Sequence, residues 1–246
     1  MAVELSRRFG NYRTSVTVNH LERFLLQFGT TQRIRGMLRL LTHLKFYPLW
    51  ELAGSIEKQL TAKLASSRAS QLMISPFGDQ TGSTAIINYL GSHSALARQL
   101  QFAQDLPTAL ASTKDGDSIY FIDDCLLSGT QTLNILGDLT GTRKRKAHHT
   151  AHCQELSSES KSKFLRRSLS FVYCVATDIG EKRFREGIAS TGIDQDRATL
   201  AYSVLEHSTS KAFEPMGPVG WASAEEREDL CCRRPKTEPL IEAVPI

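Results

Sequence analysis

The stretch from Ile119 to Thr132, Ile-Tyr-Phe-Ile-Asp-Asp-Cys-Leu-Leu-Ser-Gly-Thr-Gln-Thr, limits the fold of this chain more than any other. Its apolar residues, Ile119 to Ile122, run without interruption into Asp123 and Asp124. A run of that kind, preceded by Asp115-Gly116-Asp117, reads as a strand buried on both faces rather than the alternating strand of a half-wet sheet. Such strands belong to parallel sheets with helices on both sides. After the acids the chain turns through Ser128-Gly129-Thr130, and a helical pattern begins at Thr132-Leu133. The acids therefore fall at the carboxyl end of a strand, where open α/β sheets bind ligands. Amides and hydroxyls at a helix start favour a phosphate, and paired carboxylates suit ribose hydroxyls or Mg²⁺. Together they fit a sugar phosphate. The plainer alternative is that Asp-Asp only ends a strand and caps a helix.

The rest of the chain repeats the alternation. Strands are expected at 71–75, 118–122, 168–176 and 199–205, with helical patterns between them, which predicts a parallel, doubly wound α/β sheet. Ser94–Ala111 reads as helix through Leu96, Leu100, Ala103 and Leu106, with Pro107 as a break. Residues 1–68 form an N-terminal helical region. Leu21, Phe24, Leu25 and Phe28 mark one helix, Ile34 to Leu44 a second, and Leu52 to Leu64 a third whose first turn holds Pro48. Packing is the expected role of this region; the alternative, a nucleic-acid-binding unit, rests on Arg33, Arg35 and Arg39. The α/β core then spans 69–214, and a tail rich in Pro, Glu and Arg follows at 215–246. A second strand–loop–helix unit starts the core. Its turn-rich loop, Phe77 to Thr84, offers Gly78, Gly82, Ser83 and Thr84 as phosphate contacts.

Composition permits this architecture. The chain has 246 residues, 41% of them hydrophobic, and a formal charge of +4, which allows an anionic ligand without demanding nucleic acid. No apolar run approaches the roughly 20 residues of a membrane span. The N-terminus lacks a signal peptide's apolar stretch, and five unpatterned cysteines fit a reducing, cytoplasmic setting. The segment 143–167 is polar and basic, with Arg143-Lys144-Arg145-Lys146, Lys161 and Lys163, and reads as a mobile loop. Electrostatic attraction of a polyphosphate, or nucleic-acid contact, is its alternative role. His148, His149, His152 and Cys153 lack a second ligand pair at zinc-site spacing, with only Cys231-Cys232 elsewhere. Cys125 has no His partner in sequence and is expected to pack rather than react.

The central motif is similar to the signature of the type I phosphoribosyltransferases: an apolar strand, two acids, three variable positions, a small hydroxyl residue, Gly, any residue and usually Thr. The resemblance implies that Asp123 and Asp124 contact the ribose hydroxyls of phosphoribosyl pyrophosphate (PRPP), with Mg²⁺ nearby. It implies that Ser128, Gly129, Thr130, Gln131 and Thr132 form the loop for the 5-phosphate. A fifth strand, between Leu90 and Ala111, is expected only on this resemblance. By position, the loop with Gly78, Gly82, Ser83 and Thr84 would grip pyrophosphate, although it lacks the usual Arg/Lys-Gly residues. Gln131 replaces the commonest Thr, and Leu127 stands where purine-salvage members carry an acid that acts on the base. A narrower resemblance adds the helical N-terminal region, the Pro76-Phe77-Gly78 loop, Gln131, Ala212-Phe213 and Glu226-Arg227. These resemble the predicted phosphoribosyltransferase-like effectors of bacterial conflict (anti-phage) systems. That resemblance implies a protein acting on PRPP or a nucleotide, catalytically or as a sensor, with a partner protein of a defence system.

Overall fold

The computed structural model describes residues 2–9, 16–45, 47–67, 70–77, 89, 91–114, 116–144 and 151–207. The chain divides into two compact units, one of residues 1–46 with 209–246 and one of residues 47–208.

In the first unit, helices α1 (Ala2–Phe9), α2 (Val18–Leu26) and α3 (Thr31–His43) share a small apolar cluster of Leu5, Leu21, Leu25 and Leu41. Leu21 and Leu25 are the i, i+4 pair of the α2 stripe, as the periodicity predicts. Threonines start both later helices. Thr17 accepts from the His20 amide while His20 returns the favour to the Thr17 amide, and Thr30 accepts from the Arg33 amide.

The second unit holds a five-stranded, all-parallel sheet in the order β2-β1-β3-β4-β5. Its strands are β1 (Leu72–Ser75), β2 (Leu100–Phe102), β3 (Ser118–Leu126), β4 (Ser168–Thr177) and β5 (Ala198–Glu206). The predicted parallel, doubly wound architecture is therefore present. The helices are α4 (Leu49–Ser66), α5 (Leu106–Ser112), α6 (Thr130–Thr140), α7 (Ser158–Arg166) and α8 (Asp178–Gly187). The two faces of the sheet carry separate cores. On one, Ile119, Phe121, Phe171 and Tyr173 meet Leu110 of α5, Leu136 of α6, Phe164 of α7 and Phe184 of α8. On the other, Tyr120, Ile122, Val172 and Cys174 meet Ile56 and Leu60 of α4. The sequence reading groups residues 1–68 together; α4 packs within the sheet's own unit, on β4 and β5.

Several local expectations need correction. The fifth strand exists at Leu100–Phe102, so Ser94–Ala111 is not one helix. Pro107 opens α5 instead of breaking a helix, with Asp105 as N-cap accepting from the Thr108 amide. Proline lacks the amide that a first turn leaves unpaired anyway. Phe77 belongs to the core, its ring 5.2 Å from that of Phe121 and 5.7 Å from that of Phe171. The segment 143–167 is not a loop throughout. Its second half folds as α7, because Phe164, fully buried, anchors the helix on the core with Leu165 packed beside it.

Candidate functional site

The sheet order reverses its sense of growth between β1 and β3, and in doubly wound sheets that switch point opens a crevice at the carboxyl ends. β1 stops early. Its last register pair is Ser75 with Phe121, whereas β3 runs on beside β4 to Leu126 and Ala176. Asp123 and Asp124 thus lie inside β3 rather than after it, two and three residues past the last β1 pair. One flank of their strand is paired by β4; on the flank toward β1 no ladder pair reaches them among the described residues. Both acids are half-buried.

A second irregularity fixes their directions. Side chains alternate faces along a strand. Yet Cys174 and Val175 both lie in the α4-side core, while Tyr173 and Ala176 both lie in the opposite one. The same slip occurs in β5, where Tyr202 and Leu205 pack on one face and Val204 on the other, and in β3 between Ile122 and Leu126. The register stays in step across the slip: Asp123 pairs with Tyr173 and Tyr173 with Tyr202, then Cys125 with Val175 and Val175 with Val204. Asp124, Cys174 and Ser203 occupy the shared offset, which leaves the register unchanged because all three strands make it at the same level. In β3 the acids satisfy the amides at this offset. The Asp124 amide donates to Asp123 Oδ1 at 2.9 Å, and the Cys125 amide donates to Asp124 Oδ1 at 2.8 Å. By alternation Asp123 leaves toward Tyr173 and the α6–α8 layer, and Asp124 toward Cys174 and α4. Burial, followed by the charge of Asp124, pushes the Cys125 thiol up to about 12, and burial pushes Cys174 to about 12. A thiol held so firmly protonated is a poor nucleophile.

The turn after β3 is held by backbone contact. Gly129, at φ 68°, is the N-cap of α6, so the helix starts at Thr130, two residues before the predicted Thr132. A β-carbon on Gly129 would meet the Gly180 carbonyl at 2.9 Å, and one on Gly180 would meet the Leu126 and Leu127 carbonyls at 2.4 and 2.6 Å. The starts of α6 and α8 therefore touch through glycines. Thr177 joins them, donating its hydroxyl to the Leu127 carbonyl and accepting from the Gly180 amide at 2.9 Å. Ser128, Thr130 and Gln131 are exposed, and Gly129 is buried. The Ser128 hydroxyl accepts from the Thr130 amide at 3.4 Å. Thr132 faces inward, where its hydroxyl shares a 2.8 Å hydrogen bond with the buried Tyr173 hydroxyl. The amides of Gln131 and Thr132 lie in the first turn, where a helix offers no internal acceptor.

Sequence reasoning missed Gly180, Thr177, Tyr173 and Arg183, all from β4 and α8. Thr177-Asp178-Ile179-Gly180 carries a signal in retrospect: an N-cap threonine three residues before a glycine at a strand end. Gly78, Gly82, Ser83 and Thr84 lie outside the described residues, as do His148, His149 and the tail from 215. Among the described residues no group of three or more His, Cys, Asp or Glu gathers to hold a metal. Two neighbouring carboxylates with substrate phosphate oxygens nevertheless satisfy Mg²⁺, which keeps several waters. Asp124 has no ion pair among the described residues, so its donor chemistry fits that ion.

The basic segment joins the end of α6 to the start of β4, so both its ends lie at the amino edge of the sheet, opposite the acids. One buried oxygen ties the segment's start to its middle. Asp138 Oδ2 accepts from Arg143 Nη1 at 2.9 Å and from the His152 amide at 2.8 Å. Lys161 and Lys163 pair with Glu155 and Glu159, and buried Arg167 donates to the Thr113 carbonyl. No described helix is long and apolar enough to cross a membrane.

A comparison with family models matches residues 21–232 to PRTase-CE, a phosphoribosyltransferase-like family. A comparison with curated proteins found no match.

Proposed function

The chain belongs to the PRTase-CE family, and from that premise we propose that it binds PRPP or a nucleotide at the carboxyl edge of β1 and β3. Asp123 and Asp124 take the ribose hydroxyls, and either would offer a carboxylate oxygen to Mg²⁺. The exposed turn Ser128–Gln131, backed by the first-turn amides of α6, takes the 5-phosphate, and Thr132 fixes the turn from beneath through Tyr173. The loop with Gly78, Gly82, Ser83 and Thr84 follows β1 in sequence and would take the pyrophosphate. The observation that carries this reading is Asp124: a half-buried carboxylate at the switch point, with no ion pair among the described residues. A carboxylate withdrawn from water without a cation is costly unless a ligand compensates it.

In the catalytic form of this reading, the protein transfers or cleaves a ribosyl-phosphate bond. The bond from the anomeric carbon to the leaving atom, an oxygen of diphosphate or a ring nitrogen of a base, breaks as an acceptor attacks, and that group leaves with the bonding electrons. The residues present contribute orientation of the sugar and stabilisation of charge on the phosphates. Mg²⁺, when bound, supplies electrostatic stabilisation of the leaving diphosphate. A sensor that binds the same ligand without turnover is the second reading. It is favoured by Leu127, which is 61% exposed beside the turn and offers no acid to act on a base. A nucleic-acid role for residues 143–167 is a third, weakened because several cations of that segment already have intramolecular partners. A setting in bacterial defence, with a partner protein, rests on the resemblance of the motifs.

Asp124→Asn tests the proposal cleanly, because the amide oxygen still accepts the Cys125 amide while the charge is gone. Calorimetry with PRPP and with nucleoside monophosphates, each with Mg²⁺, is expected to show about 10- to 100-fold weaker binding for the variant. Equal affinity would remove the acid pair from the site. Pyrophosphate release by the unmodified chain separates enzyme from sensor.

A further inference from the structure

Resting on the reading above, we infer that Arg183 is the phosphate-selecting residue of the site, reaching the turn Ser128–Gln131 from a neighbouring helix. Its Nη1 donates to Thr130 Oγ1 at 2.7 Å, so the guanidinium sits over the first residue of α6. The close approach of the two helix starts puts the turn within reach of that side chain. Gly180 presses on the carbonyls of Leu126 and Leu127, and a β-carbon at Gly129 would stand 3.5 Å from Arg183 Cβ. The other α8 cations are engaged with acids of the same helix: Lys182 with Glu186 at 3.9 Å, and Arg185 with Glu181 at 2.7 Å. Arg183 has no carboxylate partner among the described residues, and one hydroxyl occupies only one of its five N–H donors. The side chain is exposed, so an incoming anion meets it without first opening the core.

Backbone amides bind a phosphate but discriminate weakly between a phosphate and other oxygens. A guanidinium fork adds charge and two parallel hydrogen bonds, which single out a phosphate monoester. The arrangement divides the labour: Asp123 and Asp124 recognise the sugar from β3, and Arg183 recognises its 5-phosphate from α8. Arg183 acts in binding and selection, not as a catalytic residue.

The test uses the full chain and three variants, Arg183→Gln, Arg183→Lys and Asp124→Asn, titrated with ribose 5-phosphate by calorimetry and with ribose by ligand-observed NMR. Arg183→Gln is expected to weaken ribose 5-phosphate about 10- to 100-fold while leaving ribose unchanged. Arg183→Lys is expected to recover part of the loss, because charge returns without the fork. Asp124→Asn is expected to weaken both ligands. Unchanged affinity of Arg183→Gln for ribose 5-phosphate overturns the inference, and so does an equal loss for ribose, which marks a structural role. If the unmodified chain binds neither PRPP nor ribose 5-phosphate, the sugar-phosphate reading itself fails, a different result from failure of Arg183 alone.

Discussion

The two edges of the sheet match charge within the chain to different degrees. At the amino edge, cations and acids are matched within the chain: Arg143 with Asp138, Lys161 with Glu155, Lys163 with Glu159, and Arg197 with Asp194. At the carboxyl edge Arg185 is matched with Glu181, but Asp124 stands without an ion pair among the described residues, and Arg183 holds only a hydroxyl. Matched charges serve the fold, because each group compensates the other's loss of water. Unmatched charges held in place by backbone contacts serve a ligand. The lesson is that the basic segment, conspicuous in composition, has its described cations Arg143, Lys161 and Lys163 matched within the chain, while Arg183 on α8 pairs with a hydroxyl and with no carboxylate among the described residues.

The contrast can be broken most directly at Asp138. Its carboxylate is wholly buried and holds both Arg143 and the His152 amide. Asp138→Ala is expected to cost about 3–5 kcal/mol, as removal of one partner of a buried pair does. Urea denaturation measures the loss. Affinity for ribose 5-phosphate, read on the fraction still folded, should stay within twofold; a large drop there would show that the two edges are coupled.

Gly180→Ala sharpens the carboxyl side. Its new methyl would collide with two backbone carbonyls, so a stability cost of about 1–3 kcal/mol is expected, with displacement of the turn. Ligand affinity should fall along with stability. A variant that kept full affinity would show that the turn does not need α8 against it.

The smallest effect is expected from pH. Glu181 accepts from the Tyr202 hydroxyl at 2.7 Å and pairs with Arg185, which holds its carboxyl below the ordinary range. A depressed folded-state value means the contribution is full above the unfolded carboxyl value of about 4.3 and fades as pH falls through the folded one. Glu181 is partly exposed, so solvent screens the pair. Between pH 6 and pH 3 the urea midpoint of the unmodified chain should therefore fall slightly more than that of Glu181→Gln. Identical pH profiles would remove the pair from the stability of this edge.

Much of this was legible in the residues themselves. The run Ile119–Ile122 gave away a strand buried on both faces, and the alternation of strands and helices gave the parallel sheet. The acids were legible as a pair, but not their place inside the strand, because β3 outlasts β1 by tertiary pairing with β4. Phe77 looked like loop since glycines follow it, yet its ring fills the core beside Phe121 and Phe171. Pro107 was ambiguous because proline both ends helices and begins them. Nothing local to α8 could reveal that Arg183 reaches the turn after β3; that contact exists only once two glycines bring separate helices together.

The repeated offset through Asp124, Cys174 and Ser203 has a consequence for how such a chain can vary. Neighbouring strands share the slip, so adding or deleting one residue in β3 alone would throw Leu126 out of step with Ala176 and turn the acids away from their present faces. Lengths of these three strands can change only in concert, which leaves the connecting segments and the outer helices as the parts free to diverge.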